Sequence, residues 1–195
     1  MIFIFYTLSL PLLFSLTTGE KAVDCPNTVG IYPFDDIKIQ GKWYIVAGLP
    51  SAINAGKTCS VIEITSERND TEILTSMHVT YNVNKVIQNV EIFSRSNNMA
   101  SPAESYGVFN RGNGQWSEVY KHSIVAIDYD NYAISIACKP KFYEDTMTFG
   151  RSIYADIWSR RPTLDKTTLQ TLKNVLSGYN IDIAQIKDMS QTTCN

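Results

Sequence analysis

Past the first two dozen residues, apolar and polar positions alternate with period two in short runs closed by turn signals. In "CSVIEIT", Ser60, Ile62 and Ile64 alternate with Val61, Glu63 and Thr65, the pattern of a strand with two unlike faces. Similar runs are "KWYIVAG", "EILTSMHVTY", "VIQNVEIFS", "ESYGVFN", "VYKHSIVAID", "NYAISIAC" and "SIYADIWSR". Between them lie the polar turns "SERNDT", "NVNK", "RGNG" and "DYDN" and the longer loop "RSNNMASP". The period then changes: Leu169, Leu172, Val175 and Leu176 share one helical face, with Asp165 placed to cap the helix and Gly178 to stop it.

Strands that mostly neighbour one another in sequence, followed by one late helix, predict an all-β fold. It is an eight-stranded antiparallel up-and-down barrel with a C-terminal α-helix packed outside. Closure removes the exposed edges that an open meander leaves, and eight strands enclose room for a small ligand.

The opening segment, residues 1–19, has no charged side chain, a dense apolar centre and small residues at its end. It reads as a secretory signal peptide, cut near Gly19 or Ala22; Pro11 and the shortness of the apolar run argue against a membrane span. Residues 20–195 then form a single barrel domain, since 195 residues suit one core rather than two. A net charge of -2 from 17 basic and 19 acidic side chains gives no surplus to attract nucleic acid. Export changes the reading of Cys25, Cys59, Cys138 and Cys194: with no C-x-x-C pair, they imply two disulfides rather than zinc, and three pairings remain open. Asn69-Asp70-Thr71 is a glycosylation acceptor in a polar turn.

Catalytic chemistry is sparse. There are two histidines and no G-x-S-x-G or H-E-x-x-H motif, so the chain is expected to bind rather than turn over, with no metal and no obligatory cofactor.

Gly41-Lys42-Trp43, "DYDNYAISIAC" with Asp128, and "IWSRRP" with Arg160 resemble, in order and spacing, three signatures of the lipocalins. "DCPN" and the tail "TLKNVLSGYNIDIAQI" are similar to the branch of apolipoprotein D and the insect bilin-binding proteins. Ile127 departs from the second signature, where threonine is usual. The resemblance implies a barrel floored by Trp43 with Arg160 across its indole. It also implies the pairings Cys25–Cys138 and Cys59–Cys194, which leave no thiol for an enzymatic lipocalin or a covalent bilin adduct.

It further implies a secreted carrier of a small hydrophobic ligand, foremost a biliverdin-like bilin held non-covalently. The alternatives are an apolipoprotein D-like carrier of lipid, sterol or fatty acid, and an interaction or inhibitor protein using its outer surface; assembly into a homo-oligomer is left open. Matched to the family, Ser76 and His78 face the pigment and Arg151, near the rim, meets an acidic group, each with a plain surface residue as its alternative. His122 is placed at the surface. Tyr81, Phe93, Tyr106, Tyr120, Tyr132 and Tyr154 are candidate cavity walls, and Leu49 and Ile53 candidate contacts from a lid loop.

Overall fold

Eight strands form an antiparallel sheet that closes on itself in the computed structural model, which describes residues 24–49, 56–110, 112, 114–192 and 194. The segment 1–19 and Ile53 lie outside the described residues. In chain order the strands are β1 (Gly41–Gly48), β2 (Lys57–Arg68), β3 (Ile73–Val83), β4 (Val86–Ser96), β5 (Glu104–Asn110), β6 (Tyr120–Asp128), β7 (Tyr132–Tyr143) and β8 (Thr148–Ser159). Each pairs with its sequence neighbour, and β1 pairs with both β2 and β8, which completes the barrel. The helix α1 (Lys166–Ser177) follows, and a two-residue strand β9 (Lys187–Asp188) adds to β1 at Ala47 and Gly48, beside a break in the β1–β8 register.

Two details differ from the sequence pattern. The hairpin of β7 and β8 runs on past Cys138 and begins before Ser152, through the pairs Phe142–Phe149 and Tyr143–Thr148. Arg151 therefore sits within β8 rather than ahead of it. By contrast, "NVNK" forms the expected turn, and a tight one: Asn84 and Lys85 have φ of 51° and 66°, the doubly left-handed geometry that suits the twist of a two-residue hairpin.

The barrel separates two apolar groups. Inside lie Trp43, Ile45, Ile62, Met77, Val79 and their neighbours. Outside, Val46, Ile134, Ile136, Ala155 and Ile157 pack beneath Leu172 and Leu176 of α1. Asp165 caps that helix, its Oδ1 accepting from the Thr168 N–H at 2.9 Å. Val175, expected on the packed face, is 38% exposed, because it lies about 100° around the helix from Leu176. Disulfides join Cys25 to Cys138 and Cys59 to Cys194, so no described cysteine is free.

Candidate functional site

The floor is built first by Gly41. Its φ of +86° carries the chain under the barrel, where a side chain is disfavoured. Trp43 follows, fully buried, its indole N–H donating to the Ile39 carbonyl at 2.7 Å. The Arg160 guanidinium lies 3.7 Å from the Trp43 ring centre. It donates to the carbonyls of Tyr129, Gln40, Lys42 and Lys38 at 2.7–3.0 Å. Asp128 shapes the adjoining turn, accepting from the Asp130 N–H and the Asn131 amide. Ile127, the departure from the second signature, is half-buried against the inner core. This end is closed by cation–π contact, packing and backbone hydrogen bonds together.

Above the floor the inner wall leaves a cavity. The space in which the centre of a water-sized sphere fits is about 100 Å³, with about 30 Å³ more in a smaller void toward the floor. On this measure one water needs only about 10–15 Å³. Ile45, Ile62, Met77, Val79, Val90 and Phe109 make the wall apolar, and Lys57 and Tyr120, at the first positions of β2 and β6, stand at the mouth. Tyr120, Tyr154 and Phe109 pack as an aromatic group with ring centres 5.3–5.8 Å apart. Tyr81 is buried on the inward side of β3, with the Lys57 ammonium over its ring.

Strand parity moves several expected contacts out of the cavity. Met77 and Val79 point inward, so Ser76 and His78, which do share a face, share the outer one. His78 is exposed and pairs across the sheet with Glu63 and Glu91; Ser76 lies in an outer groove with Phe93 and Tyr106, both exposed. Phe93 packs on Trp116 there. Arg151 also faces outward and ties the N-terminal arm to the post-helix loop, donating to the Asp24 and Asn180 carbonyls at 2.8 Å each. Tyr132 and Leu49 belong to the outer apolar group beside the helix. Of the proposed walls and contacts, Tyr81, Tyr120 and Tyr154 face inward.

His122, expected at the surface, is instead in the wall. It shares the inward face of β6 with Tyr120 and Ile124 and lines both voids. Its Nε2 lies 2.8 Å from Ser135 Oγ and its Nδ1 3.2 Å from Ser105 Oγ. Burial lowers its pKa from 6.5 to about 4, because the charged ring would lose its hydration. Asp156, Ser60, Ser94 and Trp158 also line the cavity and were not singled out from the sequence. Their signal was available: Ser60 shares the parity of Ile62, and Ser94 that of Val90. Among the described residues no cluster of His, Cys, Asp or Glu could hold a metal ion. Asn69 is exposed in the β2–β3 turn, its side-chain oxygen accepting from Thr71 and Glu72.

Rat apolipoprotein D is 26% identical over 184 residues, covering 93% of this chain and 91% of the rat protein. The mouse protein is 24% identical over 186 residues, covering 93% and 91%. Among solved structures, insecticyanin of the tobacco hornworm Manduca sexta has a TM-score of 0.65 at 23% identity, covering 87% of each chain. Lobster apocrustacyanin A1 has a TM-score of 0.59 at 17% identity, covering 80% of this chain and 79% of its own. The family model described as lipocalin / cytosolic fatty-acid binding protein matches residues 40–193, from just before the Gly41 turn to the last residues of the tail. With the barrel, its floor and its inner cavity in place, the chain belongs to the lipocalin / cytosolic fatty-acid binding protein family.

Proposed function

We propose that this protein is an exported carrier that holds a small, largely apolar molecule inside the barrel. The observation that carries the reading is the inner cavity, whose wall is apolar and whose foot is closed by Trp43 and Arg160. Burying about 400 Å² of apolar ligand surface contributes roughly 10 kcal/mol before the cost of association. That cost is about 4–15 kcal/mol, so apolar contact alone gives weak binding and polar contacts decide affinity. The leader-like segment and the two disulfides support export.

Within this class a lipid fits better than a bilin. Ser76, His78 and Arg151, the residues behind the pigment reading, lie on the outer face. A tetrapyrrole also brings two carboxylates, whereas Lys57 is the one lysine or arginine lining the cavity among the described residues.

The test is to titrate the mature protein with biliverdin, a fatty acid and a sterol, following tryptophan fluorescence and visible absorbance. The expected result is quenching by lipid at micromolar concentration, no shifted pigment band, and unchanged affinities in His78→Ala. A shifted biliverdin spectrum that His78→Ala abolishes would restore the pigment reading; no response to any probe would remove the carrier reading.

A further inference from the structure

The two voids share His122, Trp158, Met77 and Ser94 in their walls. The rings are close to parallel, 22° apart, with centres separated by 6.5 Å. His122 is held between Ser105 of β5 and Ser135 of β7. Trp158 Nε1 is buried with no hydrogen-bond partner among the described residues. Ser96 Oγ, at the lower void, is in the same condition.

We propose that the polar part of this shared wall is an anchor for the carried molecule. Ser105, His122, Ser135 and the Trp158 indole recognise a neutral hydrogen-bonding oxygen, that of an alcohol, ketone or ester, in preference to a carboxylate. The inference rests on the carrier reading and names the ligand's head group.

A neutral imidazole has one N–H and one lone pair. In the row Ser105–His122–Ser135, one hydroxyl therefore donates to the ring and the other accepts from it. The accepting serine keeps its own O–H to give, and the donating one keeps lone pairs to receive. A neutral ligand oxygen can use what either serine retains, and it also supplies the acceptor that the Trp158 N–H lacks. An unsatisfied buried donor is costly, so the pairing favours binding.

A carboxylate fares worse at this depth. The titratable groups on the surrounding wall are Asp156 of β8, the phenols Tyr120 and Tyr154, and Lys57 of β2. Asp156 has the wrong sign. Lys57, the one lysine or arginine lining the cavity among the described residues, stands at the mouth over the Tyr81 ring. A carboxylate beside His122 would be buried without a cation next to it, which is strongly disfavoured. The polar end of the ligand thus enters first if it is neutral, and stays at the mouth if it is charged.

The experiment titrates the mature protein at pH 7 with dodecanol, dodecanoic acid and dodecane, reading tryptophan fluorescence. Dodecanol is expected to bind about tenfold tighter than the acid and than the alkane, the worth of one well-made hydrogen bond. Ser135→Ala and His122→Leu should each lower that preference by about threefold or more. The wild-type ratio tests the idea even if His122→Leu does not fold. Equal or tighter binding of the acid, or a preference unchanged in Ser135→Ala, overturns the anchor while leaving the carrier reading intact. Failure of all three probes to bind overturns both.

Discussion

Arg160 and His122 show how a single side chain depends on what surrounds it. Arg160 covers the Trp43 ring and donates four hydrogen bonds to backbone carbonyls. A lysine has the charge but not the planar fork. Arg160→Lys should therefore cost about 2–3 kcal/mol, measurable as a lower urea midpoint; a change within error would mean the floor holds without the guanidinium. His122 ties stability to pH. Its pKa is about 4 in the fold against 6.5 for the free side chain, so the unfolded chain binds more protons between those values. Its contribution is complete above pH 6.5 and is lost as pH falls toward 4, up to about 3 kcal/mol in all. Denaturation at pH 7 and pH 4.5 should show that loss, and His122→Gln should flatten it. The sequence made His78 the better ligand candidate and placed His122 outside. The exchange follows from parity: His78 alternates with Met77 and Val79, and His122 lies in register with Tyr120 and Ile124.

At the scale of elements, α1 is held by the outer apolar group more than by its own propensity. Twelve residues are a marginal isolated helix, and its buried contacts come from Leu172 and Leu176. Leu176→Ala should destabilise by about 2–5 kcal/mol, whereas Val175→Ala should change stability by less than about 1 kcal/mol. Thermal unfolding of the pair checks this, and equal losses would place Val175 in the interface. The helix and its Asp165 cap were legible because a change of period and a capping residue are local signals. So was the Asn84–Lys85 turn. The upper half of the β7–β8 hairpin was not: "KPKFYEDTMTFGR" has no clean alternation, and its strands are held by ladder bonds and by the Phe142–Phe149 ring contact at 5.0 Å.

Across the whole molecule, closure and two long covalent links act together. Cys25–Cys138 and Cys59–Cys194 span 113 and 135 residues and fasten the N-terminal arm and the tail to the barrel. In the chain-entropy model each contributes about 5 kcal/mol by restricting the unfolded chain. A Cys59→Ala, Cys194→Ala double variant should unfold at markedly lower denaturant concentration, while thiol titration of the native protein finds none; an unchanged midpoint would contradict the entropic account.

The sequence by itself determined the strand order and the late helix and, through family resemblance, the floor pairing of Trp43 with Arg160 and the cysteine pairing. These follow from period, local caps and ordered signatures. Only the tertiary structure decided which face of each strand looks inward. Alternation divides a strand into two faces without naming the inner one, and here a helix buries part of the outer surface. On β7 the more apolar face, Ile134 and Ile136, packs outward beneath α1, while Ala133, Ser135 and Ala137 turn inward. With apolar residues on both sides of the wall, hydrophobicity alone could not assign the cavity lining. Closure of the sheet and the docking of α1 set that assignment.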